Sequence, residues 1–322
     1  MAHLPRVVFM GTPEFAVPTL AGLIQGGWPV VGVVTQPDRP VGRGQKVTMP
    51  PVKELALAHG LVVAQPERIR NNADFLTWLA DLRPELLVVV AYGKILPAIV
   101  LDLPRLGCVN VHASLLPKYR GAAPIQWAVM NGETVTGVTL MKMDQGMDTG
   151  PLLGSASLAI APEDTAATLS PRLAQLGAEL ALAQLPQYVA GKLEPVAQQD
   201  ADATMAPLLT KCTGWVDWTR AAQVIRDQIR GVQPWPGARA QLDGIDLKIG
   251  SATVVARGGD VQPGTVLDVD QQGWHVACGC DTLVLQTLQM PGKPMRQAVD
   301  VARGLSGHSP IGRRLTVGEP TA

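Results

Sequence analysis

The chain has 322 residues, of which 47% are hydrophobic and 17% charged, and its formal net charge at pH 7 is zero. This composition is that of an ordinary globular protein and excludes a disordered chain, while the length exceeds what one core usually fills and predicts two domains. The zero net charge gives no general attraction to nucleic acid. No apolar run reaches the roughly 18 residues that span a bilayer, and the start lacks the basic and apolar parts of a signal peptide. We therefore expect a cytoplasmic protein.

The four cysteines are spread along the chain, and their one close pair is Cys-x-Cys rather than the Cys-x-x-Cys of a zinc or redox site. This spacing predicts free thiols and no bound metal. Cys108 lies on a predicted buried strand, and nothing in the sequence supplies the cation or helix amino terminus that would activate its thiolate.

Strands alternate with helices through the first ninety residues. A strand from Arg6 to Met10 leads into Gly11-Thr12-Pro13, where Thr12 is expected to cap a helix. Further strands are predicted at 29–34, near 62–63 and at 86–90, with helices at 52–59 and 72–80. This alternation, with inner strands apolar on both faces, predicts an α/β fold with a doubly wound, mostly parallel sheet. Gly11-Thr12-Pro13 does not match the dinucleotide fingerprint.

The segment from Gln36 to Pro51 contains four prolines and two glycines besides three cations, Arg39, Arg43 and Lys46. So many prolines and glycines predict a long exposed loop with neither helix nor strand. Insertions of this length are usually functional or disordered, and three cations beside an active site would suit a nucleic-acid strand. A plain mobile loop is the alternative.

Two polar segments predict a site. In Cys108-Val-Asn-Val-His-Ala-Ser-Leu-Leu-Pro, the period of two places Asn110 and His112 on the same face of a strand, near its carboxyl end. After the apolar, strand-like segment 135–143, the loop Asp144 to Gly150 contributes two carboxylates and two glycines. A carboxylate that orients a histidine is the usual second element of such a site, although a polar pair at a strand end is often only a satisfied structural hydrogen bond.

The second half of the chain has a different pattern. A helix at 166–188 ends the first domain, and a polar, alanine-rich stretch follows. A helix is predicted from Trp215 to Arg230, and short strands separated by glycine turns from Ala238 to Leu288 indicate a small β domain. We expect a catalytic domain at 1–190, a linker at 191–210 and a carboxyl-terminal domain at 211–322. Near the end, five cations face only Asp300: Lys293, Arg296, Arg303, Arg313 and Arg314.

The run Asn110-Val-His-x-Ser-Leu-Leu-Pro-x-x-Arg-Gly, with Asp144-x-Gly-x-Asp-Thr-Gly downstream, resembles the 10-formyltetrahydrofolate-dependent formyltransferases. Gly11-Thr12-Pro13 and the segment Thr35 to Pro40 narrow the resemblance to members that formylate methionine on initiator tRNA. The resemblance implies a Rossmann-like formyltransferase domain followed by an OB-like β-barrel. It also implies a monomer that needs no metal and whose partners are the folate co-substrate and the tRNA, without a membrane.

The resemblance also assigns residues. The catalytic set would be Asn110, His112 and Asp148. The residues expected to bind the folate are Val89, Val90, Ala91, Tyr92, Leu96, Ser114, Leu115, Leu116, Pro117, Asp144 and Gly146. Those expected to contact tRNA are Arg39, Arg43, Lys46, Lys293 and Arg296, since cations on a loop and on a barrel can meet phosphates.

Two other functions compete with this interpretation. One is the same chemistry on a sugar nucleotide or on glycinamide ribonucleotide. The other is a nucleic-acid-binding protein whose first domain has lost activity. The intact Asn110, His112 and Asp148 argue against the second, and the basic loop with the basic carboxyl-terminal segment argues against the first.

Overall fold

The computed structural model describes residues 4–41, 46–256, 259–305 and 309–318. It divides into two compact units, each built from more than one segment of the chain. The first unit consists of Met1–Pro124, Val135–Ala159 and Ser170–Pro207, and the second of Ile125–Thr134, Ile160–Leu169 and Leu208–Ala322.

Among the described residues, the first unit contains nine strands, of which seven form one sheet and two form a separate hairpin. The strands are β1 Val7–Gly11, β2 Val30–Val34, β3 Arg39–Val41, β4 Lys46–Thr48, β5 Val63–Ala64, β6 Leu86–Val90, β7 Cys108–His112, β8 Val135–Lys142 and β9 Leu152–Ala159. The main sheet has the order β5-β2-β1-β6-β7-β8-β9. Its first five strands run parallel, whereas β8 and β9 are antiparallel to their neighbours. The predicted mostly parallel α/β sheet is confirmed.

Six helices connect or follow these strands: α1 Val17–Gln25, α2 Pro51–Ala58, α3 Ala73–Asp81, α4 Ala98–Leu101, α5 Pro124–Met130 and α6 Ala166–Val189. Apolar side chains of α3 and α4 pack with the sheet, where Phe75 and Val100 share a core cluster with Val8 and Cys108. The opposite face of β7 meets α6, because Gly177 lies against the Val111 side chain. By alternation, Asn110 and His112 project on the same side as Cys108.

The second unit is built on an antiparallel sheet. Its further elements are α7 Ala222–Gly231, β10 Ala238–Leu242, β11 Ile245–Val255, β12 Val266–Val269, β13 Trp274–Ala277, β14 Thr282–Gln289, β15 Arg296–Gln297, α8 Ala298–Arg303 and β16 Leu315–Thr316. The strand order is β12-β13-β14-β11-β10-β16, with β15 paired to β14. A bridge between Thr265 and Arg314 joins the two ends of this order, so the sheet curls into a half-barrel. Trp274 is fully buried inside it. The predicted small OB-like β domain is confirmed.

Three local predictions are wrong. The segment Gln36 to Pro51 was expected to lack strands, yet β3 and β4 pair as an antiparallel hairpin before α2 begins at Pro51. Thr12 does not cap a helix, because its hydroxyl donates to the carbonyl of Tyr92. The helix expected from Trp215 begins only at Ala222, since Val216 donates its backbone N–H to Arg239 of β10 and Asp217 closes a turn with Thr219.

In the part of the chain that the structure describes, no helix is both long and apolar enough to cross a membrane.

Helix α3 supplies a test of local stability. Its amino-terminal cap is Asn72, whose Oδ1 accepts the backbone N–H of Phe75 at 3.1 Å. Asn72→Ala removes this acceptor and is expected to lower the free energy of unfolding by about 1 kcal/mol. Asn72→Ser retains a capping oxygen and is the matched control. Urea denaturation measures both variants, and an equal loss in the two would contradict the capping role.

Candidate active site

Asn110 and His112 lie on β7, in the middle of the sheet. Asn110 is in register with Val89 of β6 and with Met141 of β8. The Asn110 side chain is half-buried, whereas His112, at the end of the strand, is only 6% exposed. Within the described ranges the Asn110 amide has no hydrogen-bond partner, so its two N–H donors are available to a ligand.

The His112 ring has an oxygen acceptor at each nitrogen. Its Nε2 is 2.9 Å from the carbonyl oxygen of Tyr119, and its Nδ1 is 3.6 Å from Oδ2 of Asp148. A ring that carries both protons can donate toward each of these oxygens. The predicted pairing of His112 with Asp148 is therefore present in the structure, whereas Tyr119 was not identified from the sequence as a contact.

The loop between β8 and β9 carries Asp148, which has a backbone φ of +54°. The side chain of Asp148 accepts the backbone N–H of Gly121 at 2.9 Å through Oδ2, the same oxygen that faces His112. Asp144 stabilises the beginning of this loop, because its Oδ1 accepts hydrogen bonds from the N–H of Gly146 and from the hydroxyl of Thr149. The loop is thus fixed from inside and from the segment that follows β7.

A cavity of about 160 Å³ lies beside this loop. It is lined by apolar side chains and by the polar loop itself: Lys94, Ile95, Leu96, Met141, Met143, Asp144, Gln145, Gly146, Met147 and Asp148. Asp148 therefore belongs both to the cavity wall and to the surroundings of His112. A flat heterocycle needs an apolar slot with a few fixed polar groups, and these residues provide both.

Three of the predicted folate residues line this cavity: Leu96, Asp144 and Gly146. The others are not among the lining residues. Ser114 is fully buried and donates its hydroxyl to the carbonyl of Lys118 at 2.6 Å, so it stabilises the turn that continues through Leu115, Leu116 and Pro117. Val89 and Val90 are buried within β6. Sequence reasoning missed Met141 and Met143, whose spacing of two residues toward the end of an apolar run is the signal that they share one face.

The turn after β6 is fixed by hydrogen bonds from Thr12, in the Gly11-Thr12-Pro13 motif, and from Gln36. The carbonyl of Tyr92 accepts hydrogen bonds from Thr12 Oγ1 at 3.3 Å and from Gln36 Nε2 at 3.1 Å. Ala91 precedes it with a φ of +45°. Lys94 donates through Nζ to the carbonyls of Pro66 and Glu67, and burial together with the nearby Arg39 cation lowers its pKa. These contacts position the segment 94–96, which forms one wall of the cavity.

Two of the three predicted loop cations are on the β3–β4 hairpin. Arg39 and Lys46 are exposed and lie two rows apart, since Arg39 pairs with Thr48 and Lys46 with Val41, whereas Arg43 lies outside the described residues. The base of the hairpin is anchored by Asp38, which accepts from Lys53 Nζ at 2.7 Å and from Gln65 Nε2 at 2.7 Å. The hydrogen bond from Lys53 is the main reason that the pKa of Asp38 lies below its ordinary value.

In the second unit, Lys293 and Arg296 are exposed, and neither forms an ion pair with the described residues. Two other cations of the basic carboxyl-terminal segment are neutralised. Arg303 pairs with Asp300, and Arg313 pairs with Asp243, which was too distant in sequence to be counted. The local positive charge is therefore smaller than the sequence suggested.

Family models match both halves of the chain. The model described as formyl transferase matches residues 5–185, and the formyl transferase carboxyl-terminal domain matches residues 208–306. The chain belongs to the formyl transferase family.

Curated relatives narrow the similarity to one kind of formyl transferase. The methionyl-tRNA formyltransferase of Caldanaerobacter subterraneus subsp. tengcongensis is 51% identical over 94% of this chain and 97% of its own length. That of Myxococcus xanthus is 51% identical over 93% of this chain and 95% of its own length.

Solved structures share the fold. The methionyl-tRNA formyltransferase from Clostridium thermocellum matches with a TM-score of 0.54 at 15% identity, over 78% of this chain and 94% of that one. An N-formyltransferase from Helicobacter canadensis, in complex with folinic acid and dTDP-3-aminofucose, matches with a TM-score of 0.64 at 17% identity, over 88% of this chain and 99% of that one.

Within the described residues, no group of three or more histidine, cysteine or acidic side chains is arranged to hold a metal ion. Cys108, two residues before Asn110, is 1% exposed, and burial raises the pKa of its thiol to about 12. Burial also raises the pKa of Cys278 to about 12, whereas Cys212 and Cys280 are exposed. At pH 8 the Cys108 thiol is protonated, so it does not act as a nucleophile.

Thiol alkylation tests this distribution. Iodoacetamide at pH 8 is expected to modify Cys212 and Cys280 in the native protein but not Cys108 or Cys278, because a buried, protonated thiol reacts slowly. Peptide mass spectrometry reads out each site, and alkylation in denaturant is the control in which all four react. Rapid modification of Cys108 in the folded protein would contradict the assigned burial and pKa.

Proposed function

We propose that this protein transfers the formyl group of 10-formyltetrahydrofolate to the α-amino group of methionine esterified to initiator tRNA. Two findings support this proposal. Formyl transferase family models match both halves of the chain, and curated methionyl-tRNA formyltransferases are 51% identical to it over more than nine-tenths of its length. The observation that carries the proposal is the position of Asp148, which faces His112 at 3.6 Å and also lines the apolar cavity.

The family transfers a formyl group directly to an amine. As the amine attacks the formyl carbon, negative charge develops on the formyl oxygen and positive charge on the nitrogen. When this tetrahedral intermediate collapses, the bond from the formyl carbon to N10 breaks, and tetrahydrofolate leaves with a proton on N10 that balances the proton lost by the amine. The Asn110 amide, whose donors are available in the described structure, stabilises the developing oxyanion. His112 contributes a second donor if its Nε2–H is shared between the formyl oxygen and the Tyr119 carbonyl, which is 2.9 Å away.

Asp148 has two roles in this proposal. Its carboxylate faces Nδ1 of the His112 ring at 3.6 Å and fixes the orientation of the ring. Because Asp148 is also 18% exposed on the cavity side, it can accept the excess proton of the amine, directly or through water. No covalent enzyme intermediate is needed.

The cavity accommodates the folate ring. Leu96 and Met141 form apolar walls, and the loop from Asp144 to Asp148 presents backbone groups for the polar edge of the pterin. The residues predicted at Val89–Tyr92 and Ser114–Pro117 then act mainly by shaping the walls behind the cavity.

We assign residues 1–190 to the catalytic domain, 191–210 to the linker and 211–322 to a tRNA-binding domain. The family matches at 5–185 and 208–306 support these boundaries. The exposed cations on the β3–β4 hairpin and at Lys293 and Arg296 support this assignment, because such side chains can contact phosphates. We further propose that the protein acts as a monomer in the cytoplasm.

The decisive assay supplies 10-formyltetrahydrofolate with different amine acceptors. Methionyl initiator tRNA is expected to be formylated, whereas an amino-sugar nucleotide and glycinamide ribonucleotide are not. Transfer to either small acceptor at a comparable rate would overturn the proposed substrate.

Substitution of the three assigned residues tests the catalytic roles. Asn110→Ala, His112→Ala and Asp148→Asn are each expected to lower kcat by about 100-fold or more, because each removes a contact that strengthens in the transition state. Cys108→Ala is the control and is expected to remain active. Single-turnover formylation with circular dichroism as a folding check measures the effect, and near wild-type kcat in any of the three would remove that residue from the set.

Salt dependence tests the tRNA surface. Arg39→Ala, Arg43→Ala, Lys46→Ala, Lys293→Ala and Arg296→Ala are each expected to weaken tRNA binding and to reduce the slope of log K against log salt by about one. Arg303→Ala is the matched control, since Arg303 already pairs with Asp300. Binding of 10-formyltetrahydrofolate should stay unchanged. A residue whose substitution leaves the slope at its wild-type value does not contact phosphate.

A further inference from the structure

The segment from Gln198 to Ala206, within the predicted linker, packs against the loop that follows β7. Arg120 donates its backbone N–H to Thr204 at 2.8 Å, and Ala206 donates to the Arg120 carbonyl at 2.7 Å. Gly121 has a φ of +120°, and a Cβ there would lie 2.8 Å from the Ala206 carbonyl oxygen. This close approach makes the segment, here named the 198–206 strap, a fixed part of the first unit.

Gln198 connects this strap to the loop of Asp148. Its Nε2 donates to the carbonyl oxygens of Asp148 at 2.8 Å and Gly150 at 2.7 Å. Its Oε1 accepts from Nε of Arg120 at 3.1 Å and from Nη2 at 2.8 Å. All of the hydrogen-bonding capacity of the Gln198 amide is used, which fixes its orientation.

The loop needs this support because Asp148 has a left-handed backbone. A non-glycine residue at φ +54° is strained and persists only when its surroundings hold it. Gly121 holds the carboxylate, and Gln198 holds the carbonyl of the same residue. Together these contacts fix the side chain and the backbone of the group that faces His112.

The other acceptor of His112 is supported by the same strap. Tyr119 also has a positive φ, +63°, and its carbonyl oxygen is the partner of His112 Nε2. The backbone N–H of Tyr119 donates to Oγ1 of Thr204 at 2.9 Å. Both oxygens that flank the histidine therefore belong to left-handed residues that the strap contacts.

We propose that Gln198 is a positioning residue for formyl transfer, holding Asp148 against His112 by its two N–H donors. Arg120, buried at 7% exposure, orients the Gln198 amide so that these donors face the loop. The proposal rests on the function assigned above to His112 and Asp148. It predicts that kcat depends on the amide nitrogen of Gln198, not only on attachment of the strap.

Gln198→Glu separates these two roles. A glutamate keeps one oxygen for Arg120 and adds an ion pair, so the strap stays attached, but it turns its second oxygen instead of an N–H toward the carbonyls of Asp148 and Gly150. We expect kcat to fall about 10- to 100-fold, the usual range when a group that orients a functional ligand is lost. The KM values and the melting temperature should change little. Gln198→Met removes both the donors and the acceptor for Arg120 without adding charge and is expected to give at least the same loss.

Asp200→Asn is the matched control. Asp200 is 84% exposed on its side chain and pairs with Nη2 of Arg120 at 2.8 Å, yet it has no contact with Asp148 among the described residues. This variant weakens the attachment of the strap while leaving Gln198 in place, so its kcat should remain near the wild-type value. A loss equal to that of Gln198→Glu would mean that attachment alone matters, and the proposal would be wrong.

Nitrogen-15 NMR of the His112 ring gives a readout independent of turnover. The Nδ1 resonance is expected to shift in Gln198→Glu, because Asp148 is displaced, and to stay unchanged in Asp200→Asn. If Asp148→Asn loses turnover while both Gln198 variants retain it, the positioning role is wrong and the proposed function stands. If Asp148→Asn itself retains turnover, the assigned function of the pair fails, and the role of Gln198 fails with it.

Discussion

His112 lies at the end of β7 between two oxygen acceptors, and much of the surrounding structure serves to keep them there. Neither acceptor belongs to a regular element, since Tyr119 and Asp148 both have positive φ values in loops. Such conformations persist only under external restraint. The restraint consists of two hydrogen bonds to Asp148, one from the Gly121 N–H to its carboxylate and one from Gln198 to its carbonyl, and of the bond that the Tyr119 N–H donates to Thr204 Oγ1.

The direction of β8 explains why the loop of Asp148 must fold back. In a wholly parallel sheet, the loops after successive strands meet at one edge. Here β8 is antiparallel to β7, with His112 opposite Thr139 and Val109 opposite Lys142, so β8 ends beside the beginning of β7. The segment from Asp144 to Gly150 then returns toward His112, and its inner hydrogen bonds enclose one side of the cavity.

Patterns within one strand or helix could be predicted from the sequence, because they depend only on residues close together in the chain. A period of two is enough to place Asn110 and His112 on one face, and an apolar run of five residues is enough to identify β6 within a residue. Helix α3 was predicted at 72–80 and is observed at Ala73–Asp81, where the structure adds the Asn72 cap and the buried face of Phe75 and Leu79. The family resemblance then assigned roles that no pattern of hydrophobicity carries.

The amino-acid sequence by itself determined the mostly parallel sheet and the small β domain, and it placed Asn110 and His112 on one strand face, while the catalytic roles of Asn110, His112 and Asp148 stay predictions. Only the tertiary structure decided that β3 and β4 pair across a proline-rich segment, and that Ser114 is buried in a turn instead of lining the cavity. It also decided the surroundings of His112. Gln198 is 50 residues from Asp148 and 78 from Arg120, and hydrogen bonds over such separations follow from chain topology, which no local pattern encodes.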